Sequence, residues 1–347
     1  MNSNDDIIII KGDENECYEV DTSQRLGKGG CGQVFRGMRI DEFTGEPKEQ
    51  VAIKFLFDDL PEEMVERARD EAKMNVFHEN LLRMYSFVEL EDNQAPGVIH
   101  YHVVSEYIDG VRLHDIIHSR LPDRYPGVSS SLIQQQQRYL NDRVHFSAEV
   151  LLKILAGIGA MHKAGYIHRD LAPSNIMLSS SNQLKIIDFG IAKKLGQLKP
   201  NDHPATAQGC CPYTPDYAAP ELCTGSVTDL NFTTDIYAVG IILFELLTGH
   251  VPFKGDRYQI AHQQMHASLP LNQVNIGGAV GRSMRGVIRK ATAKRQRDRY
   301  QTADEMAAAI EAALHPVPWS DILHWTAILL GGLLLMVGGL LAGLYIF

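Results

Sequence analysis

Cysteine is scarce. The five in 347 residues (Cys17, Cys31, Cys210, Cys211, Cys223) follow no metal-ligand spacing, which excludes a disulfide framework and a zinc module and fits reduced thiols. Positive charge is also in deficit. Lys plus Arg number 33 against 42 Asp plus Glu, a net charge of -9, so the broad basic footprint of a nucleic-acid binder is absent. The amino terminus lacks a secretory signal: Met1 to Asp6 is polar and acidic, and Ile7 to Ile10 is too short an apolar run with no basic stretch before it. A short edge strand is expected there instead. No compositional bias marks disorder or collagen, since hydrophobic residues make up 45% and charged residues 22%. The length sets an expectation of about two packed units.

One long apolar run is present. Thr326 to Phe347 contains no charge over 22 residues. As a helix it would reach about 33 Å, enough for a hydrocarbon core of about 30 Å. Trp319, Trp325 and Tyr345 stand near its two ends, where aromatic belts lie. The expectation is a single-pass anchor in the cell (inner) membrane, in contact with lipid through 326–347, with the rest cytoplasmic. Positive-inside support is thin, because the cluster Lys294, Arg295, Arg297, Arg299 ends 27 residues before the run. Gly339-x-x-x-Gly343 would permit close helix approach and a homodimer.

Near the amino terminus, Leu26-Gly27-Lys28-Gly29-Gly30-Cys31-Gly32-Gln33-Val34 reads G-x-G-x-x-G-x-V. Alone this pattern suits either a dinucleotide fold or a phosphate flap. A dinucleotide site needs a helix next. Here a strand-like Val34 to Met38 follows, then a polar turn, then a second strand, Val51-Ala52-Ile53-Lys54-Phe55-Leu56. Glycines let a backbone close over phosphates, and Lys54 would add a positive charge. Pro61 to Phe77 reads as a helix, and Val103 to Gly110 as a strand ending in a turn. Pro122 to Arg143, with its Ser and Gln runs, reads as an exposed insertion.

Further on stand Tyr166-Ile167-His168-Arg169-Asp170-Leu171-Ala172-Pro173-Ser174-Asn175 and, ten residues after Leu178, Asp188-Phe189-Gly190. H-R-D-L-x-x-x-N and D-F-G, after a glycine loop and V-A-I-K in that order, form a multi-part signal. Over about residues 18 to 312 the chain resembles eukaryotic-type protein kinases, most of all the serine/threonine kinases of bacteria. The resemblance implies an α+β, bilobal protein kinase fold: a small antiparallel β lobe with one helix (18–108) and a large, mainly helical lobe (109–312). Around it would lie an amino-terminal extension (1–17), a juxtamembrane linker (313–325) and the C-terminal transmembrane helix (326–347).

The resemblance also assigns roles. Asp170 would take the proton of a substrate hydroxyl. Asn175 and Asp188 would hold Mg2+ or Mn2+, hard cations that favour oxygen. Residues 26–34 and Lys54 would bind the ATP phosphates, with Glu71 (or Glu66) holding Lys54. Glu106 to Ile108 would face adenine, with Ser105 guarding the space behind it. Tyr213 to Glu221 resembles G-T-P-x-Y-x-A-P-E, and Thr214 there favours Ser/Thr protein substrates. Arg169 suggests a loop held by phosphate, with Thr206 as the candidate autophosphorylation site. Glu221 would pair with Arg299. Two departures stand out: Ala172 replaces the usual Lys, and Tyr213 replaces Gly. Ala172 leaves open a pseudokinase, a membrane-tethered binding module with the same fold; a small-molecule kinase is a third alternative.

Overall fold

The computed structural model describes residues 7–12, 16–92, 95–121, 123–189, 192–194, 214–224 and 229–316. The expected membrane segment 326–347, the candidate site Thr206 and the adjacent Cys210-Cys211 lie outside them.

The small lobe is built on six antiparallel strands: β1 (Ile7–Lys11), β2 (Glu16–Lys28), β3 (Gly32–Asp41), β4 (Pro47–Leu56), β5 (Met84–Glu91) and β6 (Ile99–Glu106), in the order β1-β2-β3-β4-β6-β5. The expected edge strand at Ile7 is β1, and Ile10 on it is fully buried. The stretch expected as an extension thus joins the sheet from Ile7 onward. Side chains alternate across a strand. Val51 and Ile53 therefore pack with Tyr18, Val20, Val88 and Val104 on one face. Lys54 and Leu56 fall on the other, where Leu56 and Val103 meet Ala68 of the helix α1 (Glu62–Ala72). Helix α1 begins after Pro61, with Glu62 and Glu63 in the first turn where the helix dipole favours acids. Its buried residues, Val65, Ala68 and Glu71, recur every three positions and define one stripe.

The large lobe contains β7 (Gly110–Arg112), α2 (Leu113–Ile117), α3 (Ser130–Asn141), α4 (Arg143–Lys163), β8 (Tyr166–Ile167), β9 (Ile176–Ser179), β10 (Leu184–Ile186), β11 (Lys193–Lys194), α5 (Pro220–Thr224), α6 (Thr233–Thr248), α7 (Arg257–His266), α8 (Gly278–Ala291) and α9 (Ala303–Leu314). Helix α6 is buried from Thr233 to Leu247, the state expected of a helix apolar all round, and it stops at Gly249 with φ of 85°. Helix α4 is long and apolar enough to cross a bilayer, but it packs inside the lobe against α6 and α9.

The expectation of an exposed insertion at 122–143 is corrected. Residues 130–141 form α3, capped by the Ser129 hydroxyl, which accepts from Leu132 N at 3.4 Å. Leu132, Gln135, Gln136 and Tyr139 are buried in contact with neighbouring helices. The apolar residues recur at helical spacing inside a Gln-rich composition, and composition hid the periodicity.

Candidate active site

Strands β2 and β3 form the glycine hairpin. Its turn is closed by Gly29 N donating to Gly32 O at 2.9 Å. Gly32 is obligatory for packing: a Cβ there would lie 2.1 Å from Phe55 O on β4. Register then sets the lysine, because Val34 stands opposite Lys54 across β3 and β4. Val34 at the end of the hairpin and Lys54 thus share one face of the sheet.

Glu71 is buried at the foot of α1, and its carboxylate accepts from Phe189 N at 2.8 Å. Burial lifts the Glu71 carboxyl above its usual range, the Asp188 charge adds to this, and Lys54 and the Phe189 amide oppose it. Burial pulls the Lys54 ammonium down, but the Glu71 and Asp188 carboxylates outweigh it and the net shift is upward. Among the described residues no hydrogen bond or ion pair within 4.0 Å joins Lys54 to Glu71, so they share a field without touching. Glu66 lies on the exposed side of α1 and pairs with Arg69.

The loop after β8 carries Asp170 and Asn175, and Asp188 follows β10. Asp170 Oδ1 accepts from Thr214 N at 2.7 Å and Oδ2 from Asn175 Nδ2 at 3.0 Å. Burial raises the Asp170 carboxyl above the usual range, and the Thr214 hydrogen bonds hold it back. A raised pKa improves a carboxylate as a proton acceptor. Asn175 also donates to Asp170 O at 2.9 Å, which leaves its amide oxygen without a donor among the described residues. Asp188 is exposed and has φ of 65°, and Arg169 has φ of 69°; both are costly left-handed conformations for residues with a Cβ. Phe189 is buried and meets His168 edge-on at 5.7 Å.

Asp235, at the start of α6, was not identified from the sequence as part of the site. Its carboxylate accepts from His168 N and Arg169 N, each at 3.0 Å, and contacts His162 Nε2 at 2.7 Å. Burial alone would raise its pKa; these hydrogen bonds reverse that and hold it low. The left-handed Arg169 is thereby fixed to the buried core helix. An acid in the first turn of a strongly apolar helix was the available signal.

At the edge between the lobes, the Glu106 carboxylate accepts from Arg83 N and from Lys185 Nζ, both at 2.7 Å, and Glu106 N donates to Arg83 O at 2.9 Å. That amide of the expected adenine-facing segment is therefore already engaged. Arg36 stacks its guanidinium 4.9 Å from the Tyr107 ring. The Ser105 hydroxyl donates to Ala52 O at 3.4 Å. Ala172, where a Lys was expected, is fully buried. Glu221 and Arg299 form a bidentate pair at 2.7 and 2.9 Å.

An antiparallel lobe bearing a glycine hairpin and a lysine, beside a helical lobe bearing two acids and an amide, is the architecture of a protein kinase domain. Residues 20–310 match the family described as "Protein kinase domain", and the chain belongs to that family. It is 32% identical over 288 residues to the probable serine/threonine-protein kinase PknB of Lactococcus lactis, covering 82% of this chain and 40% of that protein. It is 31% identical over 293 residues to the serine/threonine-protein kinase PknB of Mycobacterium leprae, covering 82% and 41%. It is 29% identical over 315 residues to a probable serine/threonine-protein kinase of Streptomyces coelicolor, covering 88% and 42%. The chain spans about two fifths of the length of these relatives.

Proposed function

We propose that this protein transfers the γ-phosphate of ATP to Ser and Thr hydroxyls of proteins, itself included. The observation that carries the reading is the gathering of Asp170 and Asn175 on one loop, with Asp188 close enough to act on Lys54 and Asp170. Phosphoryl transfer is chiefly positioning and charge neutralisation, and the residues present suit that task. Lys54 and the glycine hairpin hold the phosphates. Asp170 orients the acceptor hydroxyl and takes its proton. Phe189, Glu71 and Asp235 keep the acids in register.

The donor set fits Mg2+. Asp188 offers a carboxylate and Asn175 an uncommitted amide oxygen, and Mg2+ takes one or two protein oxygens with phosphates and water completing its shell. When bound, the ion neutralises charge on the transferring phosphate. Incubation with radiolabelled ATP, Mg2+ or Mn2+ and a generic protein substrate, followed by phosphosite mapping, tests the assignment. Phosphoserine and phosphothreonine, with a site at Thr206, are expected; no transfer with either metal would return the domain to a binding module.

The reading includes a bilayer anchor at 326–347, which rests on 22 uncharged residues. Partition of the full chain into detergent or nanodiscs checks it.

A further inference from the structure

On a chain of net charge -9, the positions 282–297 carry seven cations and no acid. Arg282, Arg289, Lys290, Arg295 and Arg297 are exposed at their positions on α8 and the turn after it. Arg282 and Arg289 stand seven apart on α8 and so share one side of the helix. Among the described residues, Arg282, Arg289 and Arg297 make no hydrogen bond or ion pair, whereas Arg295 pairs with Asp298 at 2.8 Å. The Lys290 ammonium lies over the Tyr300 ring, 4.2 Å from its centroid. The other two cations work internally: Arg285 donates to Val274 O and Ile276 O, and Lys294 to Gln264 O. Helix α9, which packs against α8, carries three acids. Asp304 pairs with Lys163 at 3.5 Å, Glu305 accepts from Gln301 N at 2.9 Å, and Glu311 is exposed.

We propose that this basic side of α8 docks the large lobe onto the anionic headgroups of a phospholipid bilayer. The proposal rests on the reading of 326–347 as a span. Helix α9 ends at Leu314, and 11 residues separate it from Thr326. Even fully extended, that stretch reaches about 40 Å, so the lobe is held within its own dimensions of the surface. For a tethered body of net negative charge, an anionic leaflet favours an orientation that presents cations over one that presents acids. Basic clusters beside a span gain most from such a surface, and the gain falls off within a Debye length. Docking would fix which way the candidate site faces.

The test uses the full chain in nanodiscs of phosphatidylcholine alone or of an equal mixture with phosphatidylglycerol. Amide hydrogen exchange over 289–298 and co-elution with the discs are read together. Entry into both discs, with slowed exchange over 289–298 only in the anionic ones, is the expected result. The triple variant Arg282→Gln, Arg289→Gln, Arg297→Gln should still enter, with its docking equilibrium lowered about a hundredfold. Entry into both discs with the same exchange in each would overturn the docking proposal and leave the span standing. Capture by anionic discs alone, lost in the triple variant, would keep the basic face and remove the span. Capture by neither would remove both.

Discussion

The carboxylate of Glu71 on α1 accepts a 2.8 Å hydrogen bond from the backbone N–H of Phe189, 118 positions later in the chain. The small-lobe helix is thereby tied to the peptide that follows Asp188. Glu71→Gln retains an acceptor of similar reach but loses the charge that opposes burial of Lys54. Its transfer rate should fall about tenfold to a hundredfold at saturating protein substrate, more so for Glu71→Ala, which loses the acceptor as well. Steady-state kinetics at varied ATP checks this; wild-type rates for both variants would sever the link.

Asp170→Asn should reduce transfer by about two to four orders of magnitude, the usual contribution of a positioned base, while nucleotide affinity survives. Lys54→Met should instead weaken phosphate positioning. Calorimetric titration with a non-hydrolysable ATP analogue, run beside the transfer assay, separates the two. Unchanged turnover in the purified Asp170 variant would remove the base assignment.

Lys185 holds Glu106 at the edge between the lobes. Lys185→Ala should raise KM for ATP about tenfold with a smaller change in kcat, since a partly buried charged hydrogen bond contributes about 1.5–3 kcal/mol. Lys185→Arg should restore most of the affinity. Equal losses in kcat and KM, unrelieved by Arg, would point to general unfolding of this edge between the lobes.

His102 is buried in the small lobe, 4.4 Å from the Phe55 ring, with no partner for Nδ1 among the described residues. Burial, with the His100 charge beside it, pushes its pKa down to about 4. The unfolded chain takes up a proton near pH 6.5 while the folded chain does not, so stability falls as pH drops from about 6.5 to about 4, by roughly 3 kcal/mol. His102→Phe should flatten this part of the curve. Melting temperatures at pH 7 and pH 5 for both proteins decide it.

Glu221 and Arg299 are almost fully buried and paired. Burial would lift the Glu221 carboxyl, but the guanidinium reverses this and holds it below the usual range. A depressed carboxyl stabilises above the unfolded pKa and loses that contribution as pH falls below about 4. Removing one partner, as in Arg299→Met, strands a buried charge and should destabilise by about 3–5 kcal/mol. Denaturant titration measures the loss, and Glu221→Gln should abolish this group's part of the acid limb.

Much of the proposed site was legible in the chain because its residues lie close in sequence or in register. Asp170 and Asn175 are five apart, and Gly27 to Val34 run straight into the strand that opposes Lys54. Asp235 was not legible, because its partners His162, His168 and Arg169 lie more than sixty positions away. Helix α3 was misjudged because Gln-rich composition outweighed its buried stripe. Between Glu71 and Glu66, sequence left a choice. Burial resolves where each stands, Glu71 on the stripe with Val65 and Ala68 and Glu66 out with Arg69.

Spacing along the chain, then, determined which residue types stand at the candidate site: glycines that permit a tight turn, a lysine at a fixed register, an acid and an amide on one short loop, and a second acid after the next two strands. Only the folded chain decided how they are held. The Asp235 anchor on the left-handed Arg169, the Glu71–Phe189 bond and the Glu106–Lys185 tie all join residues distant in sequence. Such contacts depend on burial and on the approach of separate elements, and a linear pattern of residue types carries neither.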